Sequence, residues 1–293
     1  MDFTPLQSSP AILAFVAGVF GLAVGSFLNV VIHRLPIMMR AEWRADCAEF
    51  EGREVPPPEK LNLLTPRSRC PSCGAPITAL QNIPLASWIA RGGKGAACKA
   101  PISARYPLVE LFTGLVSAFL AWRFGWGAAL AAGLVFAWAL IAASAIDLDT
   151  QFLPDRITLP LLWLGLLVNI PGVFVDLRSA VLGAVGGYMM LWSVYWGFRL
   201  LTGKEGMGFG DFKLLAALGA WTGWQSLPLI LLVSAGSGAV VGLLGIWLAG
   251  KGREARIPFG PYLAAGGLVA LLWGREAVVA YLGRFPARVG SSG

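Results

Sequence analysis

Eight apolar runs, near 10–31, 106–122, 126–146, 157–175, 179–200, 211–223, 227–249 and 258–281, take up most of the chain. All but the short sixth approach the roughly 20 residues that an α-helix needs to cross a bilayer. Backbone inside hydrocarbon must satisfy its own hydrogen bonds, which restricts such runs to helices. The expected fold is an all-α polytopic membrane protein with about eight transmembrane helices. A chain that is 56% hydrophobic and 13% charged, with mean hydropathy +0.68, is too oily for an ordinary soluble domain. Its net charge of +7 does not require a nucleic-acid partner, because eleven basic residues are concentrated between Arg34 and Arg105. A positive cytoplasmic face explains that clustering.

The first run is too long for a signal-peptide core and lacks a basic leader and a clear cleavage site, so it is expected to be retained. With the N-terminus outside, the segment from Arg34 to Arg105 lies inside, together with Arg156, Arg199, Lys204, Lys213, Lys251, Arg253 and Arg256. The outward turns around Arg123, Asp176 and Gln225 hold mostly small residues. Three regions follow: residues 1–33 as the first transmembrane helix, 34–105 as a cytoplasmic cysteine-containing domain, and 106–293 as the membrane core. Residues 41–60 read as a surface helix leading into a stiff linker of three prolines. No internal repeat stands out.

Two inward turns carry the chemistry. One reads IDLDTQFLPD over 146–155 and the other GMGFGDFK over 206–213, so Asp147, Asp149, Asp155 and Asp211 share one face. Two carboxylates held close cannot both ionise, which leaves one to take a proton from water and one to polarise a scissile carbonyl. Glycines 208 and 210 would let an extended substrate backbone approach. The plainer readings are that Asp155 caps a helix, that Asp149 is solvated in its turn, and that Asp211 is itself a cap. A proton-coupled transporter using inner-face aspartates is the alternative function, although the spans show no inverted repeat.

The pattern D-x6-P-D followed by G-x-G-D-x-K resembles the type IV prepilin leader peptidases, the bacterial branch of the GxGD aspartyl proteases. GSFLNVVIHRLP at 25–36, CPSCGAPI at 70–77, NIPLASW at 82–88, ISARYPLVEL at 102–111, TGKEGMGFGDFKLLAALGAW at 202–221 and IPFGPYL at 257–263 extend the resemblance over nearly the whole chain. It implies that Asp147 and Asp211 are the catalytic pair. It also implies that the substrates are prepilins and pseudopilins, cut after a Gly on the cytoplasmic side of the bacterial inner membrane. Methylation of the new N-terminus from S-adenosylmethionine is implied too. No G-x-G-x-x-G in a βαβ context is present, so any S-adenosylmethionine site must use another geometry. A basic leader would draw on local acids, with Asp149, Asp155 and Glu205 as candidates.

All four cysteines, Cys47, Cys70, Cys73 and Cys98, lie in the 34–105 region. Cys70-x-x-Cys73 is half of a zinc ribbon, and a reducing cytoplasm favours metal over disulfide. The resemblance implies a second C-x-x-C about twenty residues on, where this chain reads Gly95-Ala-Ala-Cys98. Cys70, Cys73 and Cys98 are therefore the expected zinc ligands, one short of the usual four. Cys47 and His33 are the residues that could fill the gap, and a knuckle folded without metal is the plain alternative.

Overall fold

The computed structural model describes residues 9–53, 61–70, 72–204, 206–249 and 258–282. The described residues contain no β-strand and form nine α-helices: α1 Pro10–Phe50, α2 Ala86–Ala90, α3 Arg105–Phe124, α4 Ala128–Thr150, α5 Asp155–Val168, α6 Leu177–Thr202, α7 Phe209–Thr222, α8 Leu227–Ala249 and α9 Gly260–Leu282. Each of the eight expected apolar runs overlaps one of the helices other than α2, and the fourth, 157–175, continues past the end of α5 into a turn. Six segments, α1, α3, α4, α6, α8 with the turn before it, and α9, are long and apolar enough to cross a membrane. At 14 residues each, α5 and α7 span about 21 Å, less than the roughly 30 Å of a hydrocarbon core. The chain divides into two compact units, residues 1–150 and 151–293.

In the first unit, Ser9 caps α1 by accepting from the Ile12 N–H, and Pro10 opens the helix, where its missing N–H costs nothing. The helix then runs unbroken for 41 residues through Pro36. The boundary expected after residue 33 therefore falls inside a helix, and the expected surface helix from residue 41 is its last part. The three prolines of the expected linker lie outside the described residues. Helices α1 and α3 are antiparallel and packed nearly backbone to backbone. A methyl group at Gly21 would come within 2.4 Å of Ser117 Oγ, and one at Gly25 within 2.7 Å of Glu110 Cα. Small residues permit such close approach between apolar helices, where burial alone gives little driving force. Ser117 Oγ donates to Thr113 O and accepts from Trp138 Nε1 of α4.

The second unit is built around α7. From Asp211 to Thr222 every residue except Lys213 is buried, as expected of a helix that is apolar on all sides. Carbonyl Gly219 O would lie 2.2 Å from a methyl at Gly183 of α6, and Gly183 O 2.1 Å from one at Gly219. Only glycine at both positions allows the two backbones to touch. On α5, Gly165 leaves room for the Trp221 ring, whose Nε1 donates to Leu161 O at 2.8 Å. Asn169, fully buried just after α5, donates to Ala220 O and Trp221 O and accepts from the Phe174 and Val175 N–H groups. All four hydrogen-bonding positions of the amide are used, which ties the end of α7 to α5 and the following loop.

Candidate active site

Asp147 lies in the last turn of α4 and Asp211 in the first turn of α7, 5% and 8% exposed respectively. Ionisable side chains are seldom so buried without a structural or chemical use. The N-cap of α7 is Gly208, whose carbonyl accepts from the Asp211 N–H at 3.2 Å. Asp211 is therefore within the helix rather than its cap. The start of α7 is held by an aromatic cluster: Phe209 and Phe212 pack edge-to-face with ring centroids 5.3 Å apart, and lie 5.3 and 5.7 Å from the ring of Tyr195 of α6. The sequence reading missed this cluster, although two of its rings flank the aspartate.

Gly210 has a different neighbour from the one expected. A methyl group there would sit 2.8 Å from Leu153 Cβ, so the bare backbone accommodates the turn after α4. Nothing crowds Gly208, where the nearest atom to a methyl would be Asp211 Oδ2 at 3.8 Å.

The other acids expected on the inner face are engaged where they are described. Asp149 belongs to the last turn of α4 rather than to a free turn, and pairs with Arg105 Nη1 at 2.6 Å while Arg105 Nη2 donates to Ala145 O. Asp155 is the first residue of α5, with Pro154 at the cap, and both its oxygens accept from Lys213 Nζ, at 2.8 and 2.7 Å. This ion pair joins the first turns of α5 and α7, and nothing in the sequence signalled it. Glu205 lies outside the described residues.

The motifs at 25–36, 82–88 and 102–111 help assemble the first unit. Asn29 Nδ2 donates to Tyr106 O, and Arg34 donates to Asn62 O and Pro66 O. Buried Glu110 accepts from the N–H of Leu85, a residue at φ 58°. An L-residue in that region is strained, and the carboxylate holds it there.

Cys70, Cys73 and Cys98 come together, their sulfur atoms all within 4.8 Å of one another. Three thiols in that arrangement suit a soft cation such as zinc, so these residues fit the metal. Its contribution would be to hold two loop turns together. Cys47, near the end of α1, and His33, exposed on it, are not in the group. The backbone N–H groups of Ser72 and Cys73 stabilise the Cys70 thiolate and lower its pKa to about 7. For Cys73 the Ala75 N–H acts in the same sense, but Cys70 and Cys98 outweigh it and push the thiol up. Asymmetry of this kind is what a set of adjacent thiols sharing hydrogen bonds produces.

These features define a polytopic helical membrane protein with buried aspartates at helix ends and a three-cysteine cluster. Residues 19–124 match the bacterial peptidase A24 N-terminal domain and residues 134–243 the type IV leader peptidase family. The chain is 55% identical over 278 residues to a prepilin leader peptidase/N-methyltransferase of Stutzerimonas stutzeri, covering 94% of this chain and 96% of that one. A protein of the same name from Aeromonas hydrophila is 56% identical over 273 residues, covering 91% and 92%, and one from Pseudomonas aeruginosa 52% over 278 residues, covering 94% and 96%. No solved structure matches the chain. The chain belongs to the type IV leader peptidase family.

Proposed function

We propose that the chain is a membrane aspartyl endopeptidase that removes the basic leader of type IV prepilins and pseudopilins, and that it then methylates the new N-terminus. Its family membership and the name shared by relatives more than half identical to it support this reading. Those names lend nothing to the transporter alternative.

The single observation that carries the mechanism is the pair of buried carboxylates, Asp147 and Asp211, in the D-x6-P-D and G-x-G-D-x-K motifs. One ends a helix and the other begins one, so opposite poles of the helix macrodipole act on them. In the proposed dyad that difference suits one carboxyl to keep its proton and the other to be ionised. In the proposed reaction the ionised carboxylate removes a proton from water as the oxygen adds to the carbonyl carbon of the leader's terminal Gly. The protonated one hydrogen-bonds the developing oxyanion. Collapse of the tetrahedral species breaks the C–N bond, and the amine leaves with the proton taken from water. S-adenosylmethionine, when bound, would supply the activated methyl group for that amine.

The cysteine-containing region and the active site are assigned to the cytoplasmic side of the bacterial inner membrane and the N-terminus to the periplasm, on the distribution of basic residues. Residues 34–105, now with a helical first part, and 106–293 are the proposed functional divisions.

Cleavage of a purified prepilin in detergent, scored separately from methylation, tests the reading. Asp147→Asn and Asp211→Asn should each lower leader removal by at least ~10²–10⁴-fold, while Asp149→Asn keeps substantial activity. A peptide supplied already cleaved should still be methylated by both variants. Near-normal cleavage by either folded Asn variant would refute the assignment.

A further inference from the structure

Residues 70–77, CPSCGAPI, and 95–102, GAACKAPI, are two copies of one turn, a short repeat that escaped notice in the sequence. In the first, the Cys70 N–H donates to Ala75 O and the Gly74 N–H to Cys70 O, at 2.8 and 2.9 Å. In the second, the Gly95 N–H donates to Ala100 O and the Lys99 N–H to Gly95 O, at 2.8 and 3.1 Å. Each copy closes with an isolated antiparallel bridge, Arg69 with Pro76 and Lys94 with Pro101. Each also turns on a left-handed residue, Gly74 at φ 71° and Lys99 at φ 57°. Lysine has no intrinsic preference for that conformation, so the turn geometry imposes it. In this register Cys98 corresponds to Cys73 and Gly95 to Cys70. A Cβ at Gly95 would stand 3.4 Å from Cys98 Sγ and 3.9 Å from Cys70 Sγ, aimed into the cysteine group. Gly95 is not at positive φ, so an L-residue would fit without strain.

We propose that Cys70, Cys73 and Cys98 bind a thiophilic divalent cation through three thiolates and that the position left bare at Gly95 keeps the fourth coordination site open to an exchangeable solvent ligand. The inference rests on the metal-binding reading of the cluster but goes beyond it, since a closed structural site would have four protein ligands. On binding, the three thiols release their protons and the cation retains one water. That water can be displaced by a small nitrogen or sulfur ligand. The peptidase reaction is not involved.

The test uses the full chain in detergent under reducing conditions, loaded with Co(II) as the probe. Thiolate-to-cobalt charge-transfer absorption reports the sulfur ligands, and the ligand-field bands report the fourth position. Imidazole should shift the ligand-field bands of the wild type and of Gly95→Ala. It should leave those of Gly95→Cys unchanged, with stronger charge-transfer absorption from a fourth thiolate. Zinc release to a chelator should slow in Gly95→Cys by at least ~10-fold, the lower end of what even an outer-shell partner is worth. If the wild type takes up neither cobalt nor zinc, the proposal fails. It fails equally if the wild type binds cobalt but is insensitive to imidazole, because a protein side chain would then occupy the fourth position. The wild-type titration alone decides the matter should Gly95→Cys not fold.

Discussion

Replacing Gly210 with alanine separates two explanations of the glycine beside Asp211. The added methyl would sit 2.8 Å from Leu153 Cβ, whereas apolar carbons rest about 3.5–4.0 Å apart. The first turn of α7 must therefore move by about 1 Å. A shift of that size in a reacting group costs about 10²-fold in rate, or about 3 kcal/mol of barrier. Stability should change less, because alanine gains up to ~1 kcal/mol over glycine in helix propensity and so offsets part of the strain. The assay is kcat for leader removal, normalised to the monodisperse folded fraction. The diagnostic step is to add Leu153→Gly, which deletes the clashing Cβ. That change empties a buried leucine site and on its own costs several kcal/mol, in the range of large-to-small core substitutions. The double-mutant coupling, rather than the absolute rate, is therefore the readout. Gly210→Ala is expected to cost at least ~10-fold less rate in the Leu153→Gly background than in the wild type, the lower part of the rate lost to a 1 Å shift. If Leu153→Gly gives no rescue, the bare backbone serves the substrate rather than the turn, and the packing argument is wrong.

Two further outcomes follow from groups outside the proposed dyad. Asn169→Leu strands buried partners of four hydrogen bonds, each worth ~1–3 kcal/mol when left unmade, so thermal unfolding in detergent should shift down sharply. An unchanged midpoint would mean that the loop re-pairs these groups. In metal-free protein, alkylation of Cys70 by iodoacetamide should rise through a midpoint near pH 7 rather than 9, because its thiolate is stabilised and only the thiolate reacts. Zinc should suppress the reaction, and a midpoint near 9 without metal would remove the basis for the N–H stabilisation.

Hydropathy made the membrane character legible because it sums over contiguous residues, and every expected apolar run is helical over most of its length. The motif spacing likewise singled out Asp147 and Asp211, and C-x-x-C singled out Cys70 and Cys73, since both patterns are local. The length of α1 was hidden by its composition: Arg34, Arg40 and Arg44 look like the end of a span, yet charged residues continue a helix readily once it leaves the bilayer. The partner of Gly210, the ion pairs of Asp149 and Asp155, the four-bonded Asn169 and the approach of Gly183 to Gly219 came only from the tertiary structure. Each joins residues distant in sequence, and a glycine or an acid looks the same in the chain whichever neighbour it meets. The equivalence of Gly95 with Cys70 falls between these cases. The eight-residue copies share Cys, Ala, Pro and Ile at four positions, too few to stand out by sequence, and matching backbone hydrogen bonds establish it because turn geometry tolerates changes that sequence comparison counts as differences.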